Sequence, residues 1–443
     1  MMSDWTGMSA AELGQAIGKG EIDPVALAQS FLDKIGAHPL KDRIYARLTP
    51  ERALAEAEAA RDRAAAGQRR SPLDGVPISW KDLFDTAGVA TEAGSKLLAG
   101  RIPDEDAEVL KVATAMGLVC LGKTHMSELA FSGLGLNPMT ATPPSVNDAD
   151  AVAGGSSSGA AASVAFGLAA AGIGSDTGGS VRIPSCWNDL VGLKTTSGRV
   201  SLKGVVPLAV GFDTVGPLCR TVEDAALVFA AIEGRTAPDL TGASVEGKRF
   251  ARLRTIVEDD LRAEPAAGYE RALAKLTGAG AEIVDLEVPE VAIPMADAGI
   301  LYTGEAWALW GEVIEADPEA MFAPIRERFE SGRSVSAADY IRAWNRMIAA
   351  REAWAKATAG FDAVLCPTAP ILPPNVAKLL EGGDYYVTEN LLALRNTRVG
   401  NVMGTCTLTL PTGVPSCGIS LMCPPDDEDR LLRLGAGAEK ALS

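Results

Sequence analysis

Residues 152–200 read VAGGSSSGAAASVAFGLAAAGIGSDTGGSVRIPSCWNDLVGLKTTSGRV. The stretch holds two Gly/Ser-rich turns, Gly154–Gly159 and Gly174–Ser180, joined by the small apolar segment Ala160–Ile173. The composition of this segment predicts a buried helix of about four turns. Glycines allow turns in which several backbone N–H groups approach one point, and serines among them can act as nucleophiles or relays. A flexible linker is the alternative interpretation. The predicted helix and the repetition of the turn favour a functional site instead.

The segment GGSSSGAAASVAFGLAAAGIGSDTGGSVRIP resembles the signature segment of the amidase signature family of serine hydrolases. The likeness is strongest over residues 70–225 and returns at Phe361–Pro374 and Thr405–Pro415. It implies an α/β fold in which a large mixed β-sheet core is sandwiched between α-helices. It also implies hydrolysis of a carboxamide, or of a related carbamoyl or aryl amide, through a serine acyl-enzyme.

The same resemblance implies a catalytic set of two serines and one lysine. Ser180, which closes the Asp-Thr-Gly-Gly-Ser turn, stands at the position of the nucleophile. Ser156 stands at the position of a relay serine that the family holds in a cis peptide, and Lys81 at that of the base. Burial would lower the pKa of Lys81 enough for it to act as a base. The backbone N–H groups of the turn are expected to bind the oxyanion, and they belong to Thr177, Gly178, Gly179 and Ser180.

Four more residues are expected close to this site. Asp176 and Arg182 flank the turn and are interpreted as a pair that steadies it. His125 and Met126 belong to a segment that resembles a family motif in which asparagine is commoner than histidine, and they are candidates for the substrate pocket. For His125 the favoured interpretation is a hydrogen-bonded packing residue. Each catalytic candidate also has a purely structural interpretation, as a surface lysine, a helix N-cap or a turn residue.

Composition limits the classes of function. The 443 residues are 47% hydrophobic and 22% charged, which is typical of a soluble globular protein. The net charge of −16 argues against nucleic acid or an anionic membrane as a partner. Seven cysteines without C-x-x-C spacing predict reduced thiols in a cytoplasmic protein. No secretory signal is recognisable at the first residues, and no apolar run is long enough to span a bilayer.

Histidine is scarce in this chain. Only His38 and His125 are present, which argues against a His-dependent triad and against a His-ligated metal. We therefore expect neither a metal nor an organic cofactor. The expected partner is a small-molecule amide, and a homodimer is left open.

Two other functions compete with amide hydrolysis. Gly117–Thr124 matches the phosphate-binding pattern G-x-x-x-x-G-K-[ST] letter for letter. That motif needs a strand before the loop and a helix after it, whereas here a predicted helix, Asp106–Met116, comes first and the loop interior is strand-like. The second alternative is the ammonia-donating A-type subunit of a tRNA-dependent amidotransferase, whose active site the resemblance equally implies.

We predict one domain over residues 1–443. It would consist of a helical N-terminal region (1–70), a signature core (71–235), a variable and mostly helical pocket-forming region (236–360), and C-terminal core strands and helices (361–443). Helix starts are predicted at Ser9, Asp23 and Thr221, where capping residues precede apolar periodicity. Strands are predicted at Val76–Trp80, Leu118–Leu121, Leu190–Leu193, Gly204–Leu208, Phe361–Pro367 and Cys406–Leu410, and a loop at Gly211–Pro217.

Overall fold

A computed structural model describes residues 5–443, and the strands in these residues form one mixed sheet. Residues 1–4, which belong to the predicted helical N-terminal region, lie outside the described residues. In chain order the strands are β1 Tyr45–Leu48, β2 Pro77–Lys81, β3 Val119–Thr124, β4 Ala171–Ser175, β5 Val191–Lys194, β6 Val215–Cys219, β7 Arg249–Leu253, β8 Glu282–Leu286, β9 Ala363–Pro367, β10 Cys406–Pro411 and β11 Gly418–Cys423. Their order across the sheet is β1-β3-β2-β4-β6-β5-β10-β11-β9-β7-β8.

The sheet is parallel at β3-β2-β4 and at β9-β7-β8, and antiparallel elsewhere. Every residue of β2, β4, β6 and β9 is buried. Because successive side chains of a strand point to opposite faces, both faces of the central sheet must be covered. This confirms the predicted α/β class with a mixed sheet between helices.

Helices within residues 5–443 cover the sheet and connect its strands. They are α1 Ala10–Gly18, α2 Pro24–Ala37, α3 Lys41–Ile44, α4 Pro50–Ala65, α5 Glu108–Ala115, α6 Ser158–Ala165, α7 Arg182–Trp187, α8 Val222–Glu233, α9 Ala263–Gly278, α10 Ala292–Ala296, α11 Ala298–Ala316, α12 Ala323–Glu330, α13 Ala337–Thr358, α14 Val376–Leu380, α15 Gly383–Val402 and α16 Glu428–Leu442. Over the described residues, none of these helices has the length and apolarity needed to cross a membrane.

The predicted helix starts are confirmed by their capping bonds. Ser9 and Glu12 form the expected capping box at α1. Asp23 accepts hydrogen bonds from two N–H groups in the first turn of α2, and Thr221 accepts one in the first turn of α8. These signals are local, so the sequence alone was sufficient to find them.

The prediction of one continuous helix over Ala160–Ile173 is wrong. Helix α6 ends at Ala165, Gly167 adopts a left-handed φ of +69°, and the chain then enters β4. The small residues serve close packing of α6 on the strand. A Cβ on Gly172 of β4 would lie 2.9 Å from the carbonyl oxygen of Ala160. The small residues of this segment are therefore explained by close packing between α6 and β4, and not by one long helix.

Two further assignments need correction. The predicted strand Gly204–Leu208 is not part of the sheet, and only Val205 forms an isolated bridge. The predicted loop Gly211–Pro217 contains the start of β6, where a Cβ on Gly216 would lie 1.9 Å from a carbonyl oxygen of β5. The region 236–360, predicted to be mostly helical, contains α9 to α13 and also supplies β7 and β8 at one edge of the sheet.

The P-loop-like segment Gly117–Thr124 is mostly strand. Gly117 follows α5, and the residues from Val119 onward form β3. The Lys123 side chain is buried, its Nζ lying 3.3 Å from Asp82 Oδ1 and donating to Thr91 Oγ1 at 2.8 Å. A phosphate loop needs exposed N–H groups at a helix N-terminus, and this segment presents none of that geometry.

Candidate active site

Neighbouring strands bring the predicted lysine and serines to one edge of the sheet. Lys81 is the last residue of β2, and Ser180 lies in the turn between β4 and α7. Since β2 and β4 are adjacent and parallel, their carboxyl ends meet at the same edge. Ser156 lies just before α6, which packs on β4, and its peptide bond with Gly155 is cis. The structure thus places all three residues at one location.

Lys81 is fully buried and bonds only to hydroxyl groups. Its Nζ donates to Ser156 Oγ at 2.7 Å and to Ser175 Oγ at 2.7 Å. Burial lowers the pKa of Lys81 to about 7, although the charges of Asp176 and Asp213 act in the opposite direction. A lysine with this pKa is partly neutral near pH 7, so it can accept a proton. Ser175 was not among the residues that the sequence predicted.

The two serine segments are bonded to each other through the backbone. The N–H of Ser157 donates to the carbonyl oxygen of Ser180 at 3.2 Å. The carbonyl oxygen of Ser156 accepts from the N–H of Ser127 at 3.1 Å. A Cβ on Gly155 would lie 2.5 Å from the backbone nitrogen of Gly135, so only glycine fits beside the relay candidate. These contacts fix the separation of the two serine segments.

Asp176 and Arg182 form a buried pair that holds the turn between β4 and α7. Asp176 accepts from Arg182 Nε at 3.0 Å and Nη2 at 2.9 Å, and also from Asn401 Nδ2 at 2.9 Å. The backbone N–H groups of Gly179 and Val181 donate to the same carboxylate. Burial acts to raise the pKa of Asp176, but the Arg182 guanidinium and these bonds hold it well below its usual range. The turn is therefore built around a carboxylate that stays charged.

The turn leaves three of its four predicted oxyanion donors free. The N–H of Gly179 donates to Asp176 Oδ1 at 2.9 Å. Within residues 5–443, the N–H groups of Thr177, Gly178 and Ser180 have no acceptor. Gly179 has a φ of +138°, and a Cβ there would lie 2.1 Å from Thr397 Oγ1. Glycine is thus required at that position both by backbone conformation and by space.

A pocket opens beside Ser180. Phe131, Leu208 and Leu394 supply apolar lining, and Tyr302 lies among them. Two arginines, Arg328 of α12 and Arg398 of α15, line the same pocket and are half-buried. These residues are far from the signature segment in sequence, and no local motif pointed to them.

His125 and Met126 are not among the residues that line this pocket. Met126 is fully buried, and its carbonyl oxygen accepts from Asn137 Nδ2 at 2.8 Å. His125 is half-buried directly after β3, where its backbone N–H donates to the carbonyl oxygen of Ile44 at 2.9 Å. Burial lowers the pKa of His125. The geometry fits the packing interpretation of His125 better than substrate contact.

Among residues 5–443, no cluster of three His, Cys, Asp or Glu side chains is arranged to hold a metal ion. The chemistry that the described groups can perform is nucleophilic. A serine faces a pocket, a second serine is bonded to a lysine of lowered pKa, and free N–H groups lie next to the first serine. That combination is typical of enzymes that transfer or hydrolyse acyl groups.

The fold and this constellation define a hydrolase with an acyl-transfer site. The family described as Amidase matches residues 26–432, and the chain belongs to this family. It is 35% identical to 2-amino-5-chloromuconic acid deaminase of Comamonas testosteroni, over 98% of this chain and 96% of that protein. It is also 35% identical to the A subunit of Glutamyl-tRNA(Gln) amidotransferase from Anaeromyxobacter dehalogenans, over 97% and 95% respectively.

A solved structure of an amidase superposes on this chain with a TM-score of 0.88 at 30% identity, covering 98% of this chain and 100% of the other. These similarities confirm the predicted family and the predicted enzyme class. The protein is an enzyme of the amidase family, which hydrolyses C–N bonds.

Proposed function

We propose that this protein hydrolyses a small carboxamide through an acyl-enzyme on Ser180, with Ser156 as relay and Lys81 as base. The observation that carries the proposal is the buried Lys81, whose Nζ lies 2.7 Å from Ser156 Oγ and whose pKa burial lowers to about 7. Within residues 5–443, no carboxylate contacts Lys81 Nζ to keep it charged. It is therefore suited to take up and return a proton at each turnover.

The acylation step follows from this arrangement. Ser180 Oγ attacks the amide carbonyl carbon, its proton passes to Ser156 Oγ, and the proton of Ser156 passes to Lys81 Nζ. The negative charge on the carbonyl oxygen is stabilised by free N–H groups of the turn. When the C–N bond breaks, the leaving nitrogen takes a proton from Lys81 through Ser156. Water then attacks the ester of Ser180 by the same proton route, which releases the acid and restores the serine.

Asp176 and Asp213 hold the turn in the geometry that this step needs. Asp176 binds the N–H of Gly179 and pairs with Arg182. Asp213 accepts from Thr177 Oγ1 at 2.5 Å and from the N–H of Leu208 at 2.9 Å. Both carboxylates are positioning groups, because their acceptor oxygens are already occupied by protein donors.

A small-molecule amide is the proposed substrate, because Ser180 lines a pocket together with Thr177 and Gly178, whose N–H groups are free within residues 5–443. The relative at 35% identity is named as a deaminase of a chlorinated amino-muconic acid. We further propose that the enzyme acts in the cytoplasm, because all seven cysteines are unpaired and buried. The single domain proposed for residues 1–443 agrees with strands from residue 45 to residue 423 that share one sheet.

The second candidate function is that of the A chain of a tRNA-dependent amidotransferase. It is favoured by the 35% identity to the amidotransferase chain named above. That function would require glutaminase activity and partner subunits that co-purify with the tagged protein. Ammonia release from glutamine together with two co-purifying chains would support this candidate. If neither is observed, amide hydrolysis by the chain alone remains the proposed function.

The decisive test is the Ser180→Ala variant together with a fluorophosphonate probe. We expect the variant to lose all measurable amide hydrolysis while its Tm stays within a few degrees of wild type, because only one hydroxyl is removed. The probe should label Ser180 in the wild-type protein, as peptide mass spectrometry would show. Hydrolysis retained by Ser180→Ala, or labelling of another serine, would contradict the proposal.

A further inference from the structure

A second cleft, with a volume of about 590 Å³, lies apart from the pocket beside Ser180. Its walls come from α13, from the start of β9, from the end of β11 and from the residues that follow α15. Among the described residues, none lines both the cleft and the pocket beside Ser180. The volume of the cleft is within the usual range of ligand sites in proteins, and the proposed hydrolysis gives it no role.

The walls of this cleft are largely apolar. The large apolar residues that line it are Trp354, Phe361, Val364, Met403, Met422 and Pro424. Two of these residues carry aromatic rings, against which the ring of a ligand packs edge to face or in an offset stack. The two methionines have flexible thioether side chains that adapt to irregular shapes and make favourable contacts with aromatic rings. The walls therefore favour a molecule with an apolar body that contains a ring.

One positively charged group of this lining, the half-buried guanidinium of Arg351, has no carboxylate partner. Arg351 Nε donates to the carbonyl oxygen of Val402 at 2.7 Å, and Nη2 donates weakly to that of Asn401 at 3.4 Å. Among residues 5–443, Arg351 forms no ion pair and its Nη1 has no acceptor. Burial lowers the pKa of Arg351, but a guanidinium stays protonated in proteins. The cleft therefore presents a positive charge with free donors.

The free end of this guanidinium has space next to it. Gly404, which also lines the cleft, carries no side chain, and a Cβ there would lie 3.3 Å from Arg351 Cζ and 3.6 Å from Nη1. Any larger residue at position 404 would therefore crowd the donors of Nη1. Gly404 also has a φ of +74°, which independently favours glycine. As a result, a ligand in the cleft can approach Arg351 Nη1 directly.

The one carboxylate that lines the cleft from residues 5–443 is already paired with other groups. Asp362 Oδ1 lies 3.2 Å from Arg430 Nη2 and 3.7 Å from Lys248 Nζ. Asp362 Oδ2 accepts from the backbone N–H of Arg249 at 2.9 Å. Asp362 thus neutralises other cations and forms no ion pair with Arg351. An anion that complements Arg351 has to come with a ligand.

We propose that this cleft is a second ligand site, which binds a small aromatic carboxylate. The ring of the ligand packs against Trp354 and Phe361, and its carboxylate accepts hydrogen bonds from Arg351 Nη1. Charge-assisted bonds between guanidinium and carboxylate are among the strong hydrogen bonds in proteins. The proposal goes beyond amide hydrolysis and does not depend on it, because the cleft contains none of the groups that act at Ser180.

Isothermal titration calorimetry of the wild-type protein with three probes tests the class of ligand. 2-Naphthoate carries both a ring system and a carboxylate, 2-acetylnaphthalene replaces the carboxylate with a neutral group of similar shape, and acetate keeps only the carboxylate. We expect 2-naphthoate to bind at least about 10-fold more tightly than either of the other two. No binding of 2-naphthoate, or a smaller difference from either control, would overturn the inference.

A matched pair of variants at Ala355 tests the role of charge in the cleft. Ala355 is exposed, lines the cleft and lies four residues after Arg351 on α13, so a longer side chain there lies beside the guanidinium. Ala355→Glu should weaken the binding of 2-naphthoate about 10- to 100-fold, because the new carboxylate occupies Arg351 and repels the ligand. Ala355→Gln has the same size without the charge and should weaken binding no more than a few-fold. Equal losses in the two variants would overturn the inference.

Two further variants locate the ligand. Arg351→Met should remove the preference for 2-naphthoate over 2-acetylnaphthalene, a ratio that does not depend on the overall stability of the variant. Arg398→Met removes an arginine from the pocket beside Ser180 and should leave the affinity for 2-naphthoate unchanged. If Arg398→Met weakened binding while Arg351→Met and Ala355→Glu did not, 2-naphthoate would lie beside Ser180 and the inference would be wrong. Ser180→Ala should bind 2-naphthoate like the wild type, so this result is independent of whether Ser180 is the nucleophile.

Discussion

Arg182 on one side, and Arg328 and Arg398 on the other, form two groups of arginines near Ser180 whose surroundings differ. Arg182 has an acceptor for nearly every donor, since it bonds to Asp176, to the carbonyl oxygen of Thr397 and to Asn401. Arg328 and Arg398 have no carboxylate at all within the described chain. The first arrangement is complete without a ligand, so it serves to build the turn. The second has no such acceptors and lines the pocket, so it does not build the turn.

Lys81 is a third kind of cation in this site. It also lacks a carboxylate in contact, but unlike an arginine it can lose its proton, and burial lowers its pKa to about 7. The absence of a contacting carboxylate therefore has different consequences for a lysine and for an arginine in this site. A buried lysine can lose its proton and act as a base, whereas an arginine stays charged.

Lys81→Met should give the largest effect. The substitution keeps the packing but removes the amine, so we expect kcat/KM to fall about 10²- to 10⁴-fold. In the wild type, kcat/KM should rise with pH through an apparent pKa near the value of about 7 for Lys81, because the base must be neutral. This limb should be missing in Lys81→Met. A pH–rate profile that keeps the limb in the variant would show that another group is the base.

Among these variants, Arg182→Met should cause the largest loss of unfolding free energy. Removal of Arg182 leaves the charge of Asp176 buried without its ion pair, which costs about 3–5 kcal/mol of unfolding free energy. Chemical denaturation would measure the loss. Asp176→Asn in the same protein should recover some of it, because the orphaned charge is then gone. An equally small loss in Arg182→Met and in the exposed control Arg342→Met would contradict the contrast between the two groups.

Arg398→Met should leave the stability of the free protein nearly unchanged. The substitution removes no ion pair and no side-chain hydrogen bond of the described chain, and the Arg398 side chain is only half-buried. The unfolding free energy should therefore change by less than about 1 kcal/mol or should rise. Differential scanning calorimetry without ligand would measure this. A loss comparable to that of Arg182→Met would show that Arg398 contributes to the fold as Arg182 does.

His125→Asn should have the smallest effect. His125 does not line the pocket beside Ser180, so we expect it neither to contact the substrate nor to act as the base. We expect kcat/KM within a few-fold of wild type and an unchanged pH limb. Steady-state kinetics across pH would measure both. If His125→Asn erased the limb while Lys81→Met kept it, histidine would be the base.

The difference between the two arginine groups also explains what the sequence could predict. Asp176 and Arg182 lie six positions apart inside one recognisable turn, so their pairing was predictable from the local pattern. Arg328 and Arg398 reach the pocket from two separate helices, and neither carries a local signal. The capped starts of α1, α2 and α8 were likewise local and were predicted, whereas the split of Ala160–Ile173 into helix and strand depended on packing.

Helix α15 gives neighbouring residues two different tasks. Thr397 Oγ1 donates to the carbonyl oxygen of Gly178 at 2.8 Å, and Asn401 bonds to Asp176, so one side of the helix fixes the nucleophile turn. Leu394 and Arg398 line the pocket from the same helix. Evolution or protein engineering therefore cannot move α15 to enlarge the pocket without disturbing the turn. New substrates would have to be accommodated by exchanging side chains at these two positions or on α12, with the helix itself left in place.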